Sequence, residues 1–323
     1  MPCTHLYSLK NETMSKLRIL LLMVTAALIF TACDEESKNY EWTDDPNTNV
    51  NRNDASGNYM LSNLAFPKVK GGTSEVIMHS TSAFGLNYAV EWDHVLRAQR
   101  WTCYYFCPSN TVTKWARGNW KDTPWGGDPF QLDPLVPKSE QPPVKGEFSG
   151  SYYPGGGSGS YYNRGHICAS QDRMCSQEVN EQTFYMTNMM PQVYAFNGGI
   201  WADMEMQVRS WNKNSYRDTL FVVKGGTIDN ENQILDRTRS GFIVPKYFFM
   251  ALLRKKGSDY YALGFWAEHL NSNHRGEDLG NYVVNIRDLE QKTGIDFFCN
   301  LPDNIENREE TKDVETIKTQ WGL

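Results

Sequence analysis

The segment Tyr162–Arg173, Tyr-Asn-Arg-Gly-His-Ile-Cys-Ala-Ser-Gln-Asp-Arg, constrains this chain more than any other. Arg164, Gly165 and His166 stand in a row, and Asp172 and Arg173 follow. An imidazole can take or give a proton near neutral pH. A guanidinium can hold an anionic phosphoryl group through forked, charge-assisted hydrogen bonds. The surrounding fold must serve that combination.

The chain has 323 residues, enough for one large domain or two ordinary ones, and 40% of them are hydrophobic. Its formal net charge is −6. A global basic field is therefore excluded, and any site for a polyanion must be local. The first residues read as a leader: Lys16 and Arg18 precede the apolar run from Ile19 to Phe30. That run is shorter than the roughly 20 residues needed to cross a bilayer, so it reads as a secretory signal starting at Met14. Phe30-Thr31-Ala32-Cys33 resembles a bacterial lipobox, which implies lipidation of Cys33. Asp34-Glu35-Glu36 then resembles a surface-export tether. The expected divisions are residues 1–33 as signal and lipobox, 34–59 as a flexible tether, and 60–323 as one domain. The expected location is the cell envelope, lipid-anchored to the outer membrane, with surface exposure, periplasm and secretion left open. Any contact with a membrane runs through the lipid alone.

Seven cysteines occur. With Cys3 removed and Cys33 acylated, an odd five remain, so no complete disulfide framework exists. Cys168 and Cys175 are the more plausible pair. Cys103 and Cys107 lie on what reads as one strand, about 13 Å apart and too far to bond.

Tyr88–Trp92, Trp101–Phe106, Leu220–Val223, Tyr247–Leu253 and Tyr260–Trp266 read as strands. Gln182–Met186 reads as a further short strand. Apolar residues at Ile200, Trp201, Met204, Val208 and Trp211 have helical spacing. Asp288–Gly294 suggests a late helix. Pro137–Ser160, with its Pro-Gly-Gly-Gly-Ser-Gly-Ser run, reads as a mobile surface insertion. Strands and helices in no strict alternation predict an α+β fold.

Asn197 lies at or just before the predicted helix, where an ordinary role would be N-cap. Glu205 and Arg209 share one helix face. On one continuous helix Asn197 and Glu205 would be about 12 Å apart, too far to ligate one ion together. A single neutral ligand suits a hard cation that keeps most of its water, as magnesium does. His79, His94, His269 and His274 read as structural or surface residues.

Three segments taken together carry a family resemblance: Tyr162–Arg173, Thr183-Phe-Tyr-Met-Thr-Asn-Met-Met-Pro-Gln192, and Phe196-Asn-Gly-Gly-Ile-Trp-Ala-Asp-Met-Glu-Met-Gln-Val-Arg209. They resemble the DNA/RNA non-specific endonucleases, sugar-non-specific nucleases with a ββα-metal (His-Me finger) site. The resemblance implies a mainly antiparallel central sheet flanked by helices, and DNA and RNA as substrates. It implies magnesium as cofactor, with manganese as a substitute. It makes His166 the general base, Asn197 the metal ligand, and Glu205 the support of the metal's water shell. Arg164 and Arg209 become contacts to substrate or transition state. Arg117 becomes a further phosphate-binding residue, and Asn188 a supporting one. Asn163 stands where the family usually has Asp, and Ala169 where many members have Pro. Two other readings remain beside the nuclease: a lipoprotein that binds nucleic acid without cleaving it, and a hydrolase of another phosphate ester. Oligomeric state is left open.

Overall fold

The computed structural model describes residues 49–122, 126–149 and 161–323. Its strands are β1 (Ser74–Thr81), β2 (Gly85–Asp93), β3 (Ala98–Phe106), β4 (Tyr162–His166), β5 (Met189–Val193), β6 (Thr219–Gly226), β7 (Ile234–Arg237), β8 (Ile243–Pro245), β9 (Tyr247–Lys256), β10 (Asp259–Glu268) and β11 (Val283–Val284). Seven of them form one antiparallel sheet in the order β1-β2-β3-β6-β9-β10-β11. β4 pairs only with β5, and β7 only with β8.

Successive side chains on a strand point to opposite faces, and the sheet's central strands are buried on both. One face presents Tyr88, Val90 and Trp92 from β2, Tyr104 and Phe106 from β3, Leu220 and Val222 from β6, and Phe248, Met250 and Leu252 from β9. These pack against the β4-β5 ribbon and the helix Ile200–Trp211, whose Ile200, Trp201, Met204, Val208 and Trp211 turn inward as their spacing predicts. The opposite face holds Trp101 edge-on to Phe66, and Phe249 edge-on to Phe297. Burial of this kind stabilises by about 25 cal/mol per Å² of apolar area removed from water.

The ribbon is fastened to the sheet by His269. Its Nε2 accepts from the Val193 backbone N–H at 2.8 Å, and its Nδ1 donates to the Pro245 carbonyl at 2.9 Å. One nitrogen accepts and the other donates, so the imidazole is neutral. Burial pushes its pKa down to about 4, and the Pro245 hydrogen bond only partly opposes that.

Four sequence expectations change. Gln182–Met186 is not a strand: it joins the end of the Gln177–Gln182 helix to a 3₁₀ turn at Met186–Asn188, and the strand follows as β5. Cys168 and Cys175 do not pair; these two, with Cys103, Cys107 and Cys299, are buried thiols outside any disulfide. The turn between Cys168 and Cys175 instead buries Asp172 and Arg173, the guanidinium lying over Tyr104 at 4.5 Å. Residues 49–53 are bound to the domain rather than free in a tether. Asn49 donates to the Leu301 carbonyl, Asn51 to Asp296 and Glu306, and the Asn53 backbone to Asn300. Polar side chains without apolar periodicity make these contacts, which hydrophobic patterning could not reveal. Part of the 137–160 insertion is also packed, with Phe148 and Glu147 buried and Glu147 accepting from Thr238 and Ser240. Its glycine-rich run lies outside the described residues, as do residues 1–48, on which the expected signal and the expected lipidation of Cys33 fall.

Candidate active site

β4 places His166 opposite Met189 of β5. Gly165 permits this pairing at close range: a Cβ there would stand 2.3 Å from the Gln192 side chain. Alternation puts Arg164 and His166 on one face of the ribbon and Asn163 on the other. Asn163 therefore does not reach His166, and its amide has no hydrogen-bond partner among the described residues. The imidazole is supported by rings. Phe184 meets it edge-on at 5.0 Å between centroids, and Phe130 lies at 5.5 Å. Trp201 Nε1 donates to the His166 carbonyl at 3.2 Å, tying the start of the helix to the end of β4.

His166 Nε2 is enclosed and has no hydrogen-bond partner, which leaves Nδ1 as the ring nitrogen facing the site. Burial, then the charges of Arg117, Arg164 and Lys224, push the imidazole pKa down to about 3, with Asp172 opposing. It is neutral across the physiological range and free to accept a proton.

Arg164 lies 3.6 Å above the Phe130 ring and donates to Asp128 at 3.0 Å and to the Val144 carbonyl at 3.2 Å. Arg117 is exposed on the 3₁₀ turn Arg117–Asp122. Asn188 is fully buried; it accepts from the Cys168 N–H and donates to the Cys168 and Thr183 carbonyls. It thus clamps the chain just beyond His166.

Asn197 does not cap the helix. It ends a separate turn, Tyr194–Asn197, and Gly199 occupies the cap position without a side-chain bond. A Cβ at Gly199 would stand 2.1 Å from the Ala195 carbonyl oxygen, so this break needs glycine. The rise along one continuous helix therefore does not describe the Asn197–Glu205 spacing. The Asn197 amide is half-buried and has no hydrogen-bond partner among the described residues.

Glu205 and Arg209 project together, as expected. Arg209 Nη1 donates to Asp172 Oδ1 at 3.0 Å. Asp172 Oδ2 accepts from the Tyr104 hydroxyl at 2.5 Å and lies 3.4 Å from Lys224 Nζ. Glu205 Oε1 is 3.7 Å from the same Nζ and makes no hydrogen bond. Burial raises Glu205 to about 7; Lys224 and Arg209 oppose the rise, while Asp172 adds to it. Burial would raise Asp172 too, but Lys224 and Arg209 hold it below the usual carboxylate range.

Sequence reasoning did not find Lys224, Phe130, Phe184 or Tyr104. Lys224 had a signal, being a lone cation ending the apolar run Leu220-Phe-Val-Val. Arg173, counted at first beside His166, points into the core and donates to the Tyr105 carbonyl.

The donor set fits a hydrated divalent cation. Asn197 offers a half-buried amide oxygen without a partner among the described residues, and Glu205 brings a carboxylate whose enclosed Oε1 lies against Lys224. Among the described residues no group of three His, Cys, Asp or Glu side chains could hold a metal. A cation bound here would keep most of its own water.

Two strands carrying a histidine, followed by a helix tied to them through Trp201 and bearing Glu205 and Arg209, define a ββα unit seated on an antiparallel sheet. The comparisons agree. The sequence matches the family described as DNA/RNA non-specific endonuclease over residues 73–304, and the chain belongs to that family. It is 30% identical over 150 residues to Nuclease C1 of Cunninghamella echinulata var. echinulata, covering 45% of this chain and 60% of that protein. It is 28% identical over 226 residues to the mitochondrial nuclease EXOG of Xenopus laevis, covering 67% of this chain and 58% of that protein. A Nostoc nuclease is 31% identical over 196 residues, with 58% and 68% covered. The matched region thus spans about half to two thirds of these relatives. A chain from the crystal structure of the EndoG/EndoGI complex superposes with a TM-score of 0.56 at 18% identity, covering 75% of this chain and 93% of that one. That likeness establishes the fold.

Proposed function

We propose that this protein is a magnesium-dependent endonuclease that hydrolyses phosphodiester bonds in both DNA and RNA. The observation that carries the reading is His166: a neutral imidazole, locked by Phe130 and Phe184, that feels the charges of Arg117 and Arg164. Nδ1 takes a proton from water, and the resulting hydroxide attacks phosphorus. The P–O3′ bond breaks, leaving a 5′-phosphate on one product and a 3′-hydroxyl on the other. Arg164, Arg117 and Arg209 offset the charge on the phosphoryl oxygens. An arriving phosphate also cancels part of the guanidinium charge that depresses His166, which returns basicity to the imidazole at the moment of use.

Asn197 would hold the divalent cation, with Glu205 supporting its hydration shell; when bound, the cation would stabilise charge on the departing oxygen. Manganese is the expected substitute. Digestion of plasmid DNA and of RNA, with and without magnesium, tests the reading. The parent is expected to degrade both only with the cation, and His166→Ala to lose at least about 100-fold in rate. Equal digestion by His166→Ala would remove the assignment.

The N-terminal lipobox supports attachment to the outer membrane through acylated Cys33. Cys33→Ala is expected to move the protein from the membrane to the soluble fraction; unchanged fractionation would exclude the anchor.

A further inference from the structure

Lys224 lies on β6, on the sheet face that the ββα unit covers, and its side chain is fully buried. Its Nζ is 3.4 Å from Asp172 Oδ2 and 3.7 Å from Glu205 Oε1. The rings of Tyr104 and Trp201 lie 5.5 and 5.9 Å away. Asp172 is well supplied otherwise, by Arg209 on one oxygen and the Tyr104 hydroxyl on the other. Glu205 is not: Lys224 is its nearest cation, and its Oε1 has no hydrogen bond. Among the described residues Lys224 is thus the one cation within 4 Å of both carboxylates. Through them it connects the sheet floor, the chain beyond His166, and the helix bearing Glu205 and Arg209.

A buried lysine is a poor way to stabilise a fold. Desolvating an ammonium costs several kcal/mol, and replacing buried ion pairs by well-packed apolar groups is often neutral or stabilising. An apolar residue of similar length would suit the end of Leu220-Phe-Val-Val. We infer that Lys224 is a positioning residue for phosphodiester cleavage: it holds the Glu205 carboxylate in register with Asp172 and Arg209. The inference rests on the nuclease reading above. Groups that orient a site through a neighbour typically contribute 10–100-fold to activity.

The test is a double-mutant cycle on a fluorescent oligonucleotide, with kcat and KM read at saturating magnesium and the rate then followed over a magnesium titration, for Lys224→Met, Glu205→Gln and the double variant. Lys224→Met is expected to keep the parent's melting temperature or raise it. It should lower kcat about 10–100-fold, leave KM within about threefold, and raise the magnesium concentration needed for half-maximal rate. In the Glu205→Gln background the same change should cost less than about threefold, because the residue it acts through is already gone. An equal loss in both backgrounds, or an unchanged kcat, would overturn the inference. If Lys224→Met does not fold, Lys224→Gln is read through the same cycle, and the same outcomes decide. A parent that cleaves while the cycle is additive removes only the role of Lys224. A parent that does not cleave removes the nuclease reading, and this inference with it.

Discussion

At the scale of single residues, the site depends on how the protein treats its histidines. His166 is half-buried, His269 is buried, and both are neutral, with pKa values pushed down to about 3 and about 4. His94 is the contrast: its hydrogen bond to Glu140, with Glu75 on the other nitrogen, raises its pKa against a small cost of burial. Proton–carbon NMR of the imidazoles should therefore show no titration of His166 or His269 between about pH 8 and pH 5, while His94 titrates above its ordinary value near 6.5. His166→Gln and His269→Gln supply the assignments. A midpoint near 6.5 for His166 would contradict its enclosed, cation-flanked setting. His166 itself was legible in the chain because imidazole and guanidinium stand in adjacent positions. The rings that hold it were not, since Phe130 and Phe184 are apolar residues whose spacing carries no mark of the site.

At the scale of elements, the decisive feature is the break before the central helix. Gly199 lets the turn Tyr194–Asn197 approach so closely that a methyl group would overlap the Ala195 carbonyl. Gly199→Ala must push that turn away, and with it Asn197. Such overpacking typically costs about 1–3 kcal/mol. Thermal melting should register that loss, and the rate of DNA digestion should fall by more than the change in folded fraction explains. A variant as active as the parent would mean that the position of Asn197 is not critical. The helix was readable from the spacing of Ile200, Trp201, Met204, Val208 and Trp211. The separate turn was not, because four residues are too few to show a period.

At the scale of the whole molecule, the first described residues meet the segment from Arg287 to Glu310 in a group of crowded carboxyls. Asn51 donates to Asp296 and Glu306, while Arg287 pairs with Glu290 and Glu310. Burial and the neighbouring carboxyls raise Glu310 to about 9, and Glu290 and Glu306 to about 7. Arg287 is half exposed and does not outweigh them. The folded state therefore binds more protons than the unfolded one between about pH 4.5 and pH 9. Stability from this group is complete below about pH 4.5 and is lost as pH rises through the folded values. Glu310→Gln keeps the shape and removes one ionisation. It should raise the melting temperature at pH 8.5 and leave it nearly unchanged at pH 5. An equal shift at both would exclude the linkage.

By itself the sequence determined the family, the α+β class and the order His166, Asn197, Glu205, Arg209, because those motifs are local and lie at short spacing. Only the tertiary structure decided which charges share the site. Lys224 meets Asp172 across 52 residues of chain and Arg173 turns away into the core. Strand order and register set such contacts, and neither is encoded in any single stretch. The opening segment therefore carries the histidine, while the sheet beneath it supplies the buried Lys224 beside Asp172 and Glu205.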